Sequence, residues 1–164
     1  AAPVTTAATA MHLGPDIVQG NSFLADETVL VLVVINLAQE TVHNAEATRV
    51  YAAEEALERS SPTRALSMSE AAQWITTIAE NEDLDPPVLM RQKMSSDLLG
   101  LAFTDEWCIA VRKLKPTQLL LLHELAHLSC ANKGHGPEFQ RQLIEYVRKY
   151  VSVTHAAELA QLLK

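Results

Sequence analysis

The chain has 164 residues, enough for one domain with a modest core. Apolar residues at 48% and charged residues at 20% describe an ordinary soluble globular composition. Twenty acidic against thirteen basic side chains give a net charge of −7, so a phosphate-binding surface, and with it nucleic acid as a partner, is not expected. Cys108 and Cys130, the two cysteines, form no CxxC pair. Neither a zinc ribbon nor a disulfide framework is expected, and reduced thiols suit the cytoplasm.

The first ten residues are rich in Ala and Thr, precede Met11, and carry no fold signal. Residues 12–27 hold turn formers, Gly14-Pro15 and Gly20-Asn21. The longest apolar run, Val29 to Ala38, is broken by Asn36 and reaches about half of the ~20 residues that cross a bilayer. It follows Asp26 and Glu27 instead of a basic segment, so neither a membrane span nor a signal peptide is expected. Residues 1–43 are therefore read as a partly irregular N-terminal extension. Its Val29–Leu37 segment is a strand or a helix, and offers an apolar surface for a homodimer.

Residues 44–164 read as a single domain. A first helix is expected from Asn44, with Val50, Ala53 and Leu57 inward and Glu54, Glu55 and Glu58 in solvent, stopped by Ser60-Ser61-Pro62. A second opens at Ser67, with Glu70 at capping-box spacing, and has the inward stripe Ala71, Trp74, Ile75, Ile78 and Ala79. Three short strands are expected at Val88–Met94, Leu98–Thr104 and Trp107–Arg112. The last two form a half-buried hairpin across Asp105-Glu106, with Trp107, Ile109 and Val111 on one face. Pro116 suits the first turn of a third helix, whose Leu119–Leu122 run demands burial on nearly all sides. Asn132-Lys133-Gly134 is its expected left-handed cap. Pro137 starts a fourth helix with the stripe Phe139, Leu143, Val147 and Tyr150 or Val151. A short last helix, capped by Thr154, carries Ala157, Leu159, Ala160 and Leu163. This order describes a small α+β domain.

The third helix carries His123-Glu124-Leu125-Ala126-His127, followed by Gly134-His135-Gly136-Pro137-Glu138-Phe139. Histidines four apart on a helix share one face, so both imidazoles can reach one metal ion. The HExxH pattern supplies two zinc ligands, and Glu124 is its general base. His135, beyond a glycine that can turn the chain back, is the third ligand, leaving the fourth position of a catalytic Zn2+ open. Glu138 is a candidate for the helix N-terminus or for the outer N–H of a ligand imidazole. His155 is a candidate for the same outer contact, and Tyr146 for an oxyanion donor. Cys130, seven residues after His123, is read as a small buried hydrophobe before a ligand.

HELAH followed by GHGPEF resembles the SprT-like (Spartan-type) zinc metallopeptidases, matching at His123, Glu124, His127 and His135, with Gly134, Gly136, Pro137 and Phe139 as the frame. The interval between His127 and His135 is shorter than is typical there. A closer resemblance is to a small actinobacterial and actinophage group of metallohydrolases, through Arg49-Val50-Tyr51-Ala52-Ala53-Glu54, the LLHELAH helix, the HGPEF loop and Ser152 to Ala156. It covers about residues 45–163. The resemblance implies a zincin-like fold, with a small sheet of about three strands beside a buried HExxH helix, and peptide-bond cleavage by zinc-activated water. No zinc ribbon or DNA-binding extension of the Spartan type is expected in these residues, so the role of those proteases at DNA crosslinks is not carried over.

The expected function is that of a zinc metallopeptidase acting on a protein or peptide substrate, which pairs with an exposed strand of the 88–112 sheet. One rival is a repressor-cleaving protease of the ImmA/IrrE type, whose third ligand would be an acidic residue such as Glu145 or Glu158. The other is a catalytically silent module in which zinc pins the helix to the turn at His135.

Overall fold

A computed structural model describes residues 45–96, 98–130 and 134–164. The readings made for residues 1–44, including the Val29–Leu37 segment, lie outside the described residues. The described part is α+β: five helices and a three-stranded sheet. Helix α1 covers residues 45–60 and buries Val50, Ala53 and Leu57, one stripe at helical spacing. Helix α2 is Met68–Asn81; the capping box predicted at Ser67 is present, with Glu70 reaching back to the Ser67 N–H at 2.8 Å. Of its predicted stripe, Ala71, Ile75, Ile78 and Ala79 are buried, and Trp74 packs half-buried against the core.

Strands β1 (Val88–Arg91), β2 (Gly100–Phe103) and β3 (Cys108–Val111) are each shorter than expected, and their order is β1-β3-β2. β2 and β3 form the predicted antiparallel hairpin, while β1 runs parallel to β3. The expectation of a half-buried β3 is corrected. Flanked by both neighbours, it buries all four residues, Cys108 and Ala110 as well as Ile109 and Val111. Trp107 does not belong to the strand. It sits in the hairpin turn with φ 51, and its indole N–H donates to the Asp85 carbonyl at 2.6 Å.

Helix α3 is Gln118–Ser129, and eight of its twelve residues are buried. Pro116 precedes the helix instead of opening it. The N-cap is Thr117, whose hydroxyl accepts from Leu120 N–H, and the Pro116 carbonyl accepts from Leu66 N–H. The other end also differs, because α3 stops at Ser129 with Cys130 extended, well before Gly134; Asn132 and Lys133 lie outside the described residues. Helix α4 is Pro137–Tyr150, opened by proline as predicted, with Phe139, Leu143, Tyr146 and Val147 buried.

Helix α5 is Val153–Leu162. Ser152, not Thr154, caps it, accepting from His155 N–H, so the buried face shifts to Ala156, Leu159 and Leu163 and leaves Ala157 exposed. Glu158 of α5 accepts from Ser61 at 2.8 Å and from Ser60, tying the last helix to the end of the first. Among the described residues no helix is long and apolar enough to cross a membrane.

Candidate metal centre

The predicted HELAH face forms on α3, and the chain returns after the helix to bring His135 against it. The three Nε2 atoms stand at the corners of a triangle: His123 to His127 3.1 Å, His127 to His135 3.2 Å, His135 to His123 3.2 Å. Three nitrogens bound at about 2.0–2.1 Å to one tetrahedral ion stand about 3.3 Å apart, so the triangle has the size of such a face. His123, His127 and His135 are thus a group that could hold a metal ion.

Two neighbours fix this arrangement. Phe139, on the first turn of α4, packs its ring against all three imidazoles, with centroid distances of 5.0, 4.4 and 4.8 Å. Gln140, one residue on, donates from its side-chain amide to the His135 carbonyl at 2.8 Å. The turn carrying His135 is therefore bolted to the start of α4 by the residues immediately following it.

The outer shell comes from α1. The Glu54 carboxylate lies 2.7 Å from His123 Nδ1 and is only 14% exposed. The prediction that Glu54 sits in solvent is therefore corrected: α1 packs on α3 through a face wide enough to enclose it. Glu58 is also engaged, accepting from the Thr63 N–H and hydroxyl. A carboxylate on Nδ1 makes that nitrogen the donor and leaves Nε2 as the lone pair aimed at the triangle. Burial is the largest single influence and works against charge on His123, but the charge and hydrogen bond of Glu54, with the charge of Glu124, together raise the imidazole pKa. For His127 and His135 burial dominates, aided by the neighbouring histidines, and lowers their pKa values to about 3 and about 4.

Glu124 is 4% exposed. Burial pushes its carboxyl up to about 7; Glu54 adds to this, while His123 and the Ala102 N–H hold it back. The Ala102 hydrogen bond joins α3 to strand β2, and Gly100 makes the approach close enough. A Cβ at Gly100 would stand 2.4 Å from Glu124 Oε1. In the antiparallel register with β3, the Arg112 N–H donates to Leu99, so alternate residues Gly100 and Ala102 turn their backbone groups to the outer edge of β2, which pairs with no further strand among the described residues. A cavity of about 400 Å³ runs along this edge, with the three histidines and Glu124 on its other side and Tyr51 of α1 at its end.

Tyr51 stacks on His123 at 5.6 Å and meets His135 edge-on at 5.0 Å. Burial, then Glu124 and Glu54, raise its phenol pKa. Sequence reasoning singles out neither Tyr51 nor Glu54 as a site residue, although both lie in the Arg49–Glu54 segment that carries the resemblance. Both look like ordinary helix-surface residues until α1 is docked.

The remaining candidates fall elsewhere. Tyr146 is 1% exposed in the core, its hydroxyl 2.7 Å from Ser129 Oγ. His155 Nδ1 lies 2.7 Å from Ser152 Oγ at the start of α5. Glu138 stands in the first turn of α4, where the helix dipole favours a carboxylate. None of the three lines the cavity at the histidines. Cys130 caps α3 and is not one of the clustered metal-ligating groups. Glu145 pairs with Arg148, and Glu158 with Ser60 and Ser61, so neither acidic residue joins the cluster. No protein-family model, no curated protein and no solved structure matches this chain.

Proposed function

We propose that the protein is a zinc-dependent peptidase of zincin-like fold, related to the SprT-like metallopeptidases that its HELAH and GHGPEF segments resemble. The observation that carries this reading is the Nε2 triangle with the Glu124 carboxyl, its pKa near 7, beside it. Zinc, the metal that three imidazoles suit, would supply Lewis-acid activation of a water and a carbonyl.

The chain's own residues account for the rest of the chemistry. Glu124 accepts a proton from the attacking water and delivers it to the leaving amine, a task for which a carboxyl pKa near neutrality is well matched. Gly100 and the Ala102 carbonyl present backbone groups at the outer edge of β2, where an extended peptide can add as a further strand with its scissile carbonyl beside the histidines. Glu54 orients His123, and Phe139 holds the three rings in place.

The test is Glu124→Gln in the zinc-loaded protein, assayed on a mixture of internally quenched peptides. The variant is expected to retain one zinc per chain and to lose about 10²–10⁴-fold in turnover. Turnover at the wild-type rate would overturn the role of Glu124, and a wild-type protein that binds zinc but cleaves nothing would favour the silent zinc module.

A further inference from the structure

A second cavity, of about 490 Å³, opens beside the first and shares Tyr51, Leu98, Gly100, His123 and Glu124 with it. It lies between α1, the start of α3 and the residues leading into β2. Its lining is largely apolar: Leu119 and Leu120 of α3 form the inner part, and Leu98 and Leu99, 40% and 43% exposed, the outer part. Its α1 wall carries three carboxylates, Glu54, Glu55 and Glu58, and one ammonium, Lys113, stands among the lining residues. The histidine cluster explains none of these apolar groups. Leu98 and Leu99 are large hydrophobes left half in water at the mouth of a concave site, which is how a ligand pocket is built.

We infer that this cavity is the specificity pocket of the proposed peptidase, and that it takes a large apolar side chain flanking the scissile bond and rejects an acidic one. The inference rests on the peptidase reading for its link to cleavage, but the pocket itself stands on its lining. A peptide laid along the outer edge of β2 reaches the pocket at Gly100, the β2 residue that lines both cavities. From there a side chain of leucine or phenylalanine size would cover the four leucines and remove apolar surface from water on both partners. A carboxylate entering the same space would meet four carboxylates in the lining, Glu54, Glu55, Glu58 and Glu124, against Lys113 and the paired partners His123 and Arg59, so the site stays acidic on balance.

The experiment uses succinyl hydroxamates, which chelate zinc through one end, with methyl, isobutyl, benzyl, carboxyethyl or guanidinopropyl as the side chain. Affinity for the zinc-loaded wild-type protein is measured by titration calorimetry. Isobutyl and benzyl are expected to bind about 10–200-fold tighter than methyl, with carboxyethyl weakest. Leu120→Trp, which fills the inner part, should bring the isobutyl-to-methyl ratio close to one. Leu98→Trp at the mouth is a second filling variant should Leu120→Trp disturb the fold, as read by circular dichroism. Equal affinity across the series, no binding by any member, or a preference for carboxyethyl or guanidinopropyl would each overturn the pocket assignment. Matched peptides separate the two readings. The expected hydroxamate order without any peptide cleavage would keep the pocket and sink the peptidase, whereas cleavage without that order would do the reverse.

Discussion

The two walls of the histidine site are built in opposite ways. One wall is nearly continuous chain: His123 and His127 on α3, His135 eight residues on, and Phe139 and Gln140 following directly. The other is assembled from afar, with Glu54 69 residues before His123 in sequence, and Gly100 and Ala102 on a strand that reaches Glu124 only through the packing of sheet on helix. The local wall supplies the three nitrogens that could hold a metal ion. The distant wall sets what those atoms and Glu124 can do, through tautomer, orientation and pKa. Disturbing the distant wall should therefore leave the metal-ligand set intact and change its performance, in a different way at each of its two parts.

The largest effect is expected at β2. Gly100→Ala places a methyl group 2.4 Å from Glu124 Oε1, so the carboxylate must move while the histidines are untouched. Turnover of a cleavable peptide should fall about 100-fold, as for a 1 Å misplacement of a reacting group, with zinc affinity unchanged. A parallel loss of zinc, read by chelator competition, would show that the two walls are not separable.

Glu54→Gln should act on the metal instead. It keeps the shape but removes the charge that orients and polarises His123, and zinc affinity should drop about 10–100-fold. Unchanged affinity would mean that Phe139 and Gln140 suffice to hold the ligands.

Ser67→Ala calibrates both results, because it cuts a capping box on α2 with no contact to the site. It should cost about 1 kcal/mol in denaturant unfolding while zinc affinity stays constant.

The smallest signal is a proton count. His127 and His135, with pKa values of about 3 and about 4, are already neutral at pH 6, whereas His123 is held protonated above its ordinary range and Glu124 up to about 7. Zinc binding at pH 6 should therefore release about one to two protons, in calorimetry across buffers of different ionisation enthalpy, and not the three of a fully protonated histidine set. In Glu54→Gln, His123 loses the carboxylate that raises its pKa, so the count should fall.

Much of the fold was legible because its signals are short-range. The capping box at Ser67, the proline opening α4 and the stripes of α1 and α4 depend on residues within a turn or two of one another. Where expectation failed, a neighbour distant in sequence decided. β3 alternates like a half-exposed strand, yet it is buried throughout because β1 joins it in parallel on the side away from β2. Thr117 displaces Pro116 as the start of α3 where that stretch pairs with Ala65 across an isolated bridge.

Sequence by itself determined the donor set: two imidazoles four residues apart on a helix must share a face, and a third lies within reach after a glycine. That is geometry internal to one segment. Only the tertiary structure decided that Glu54 leaves solvent for His123, that Gly100 admits the Glu124 carboxylate, and that a leucine-lined cavity opens beside the cluster. Those contacts join elements far apart in the chain, and no local periodicity encodes them. They exist because the apolar faces of α1, α3 and the sheet can be buried only against one another.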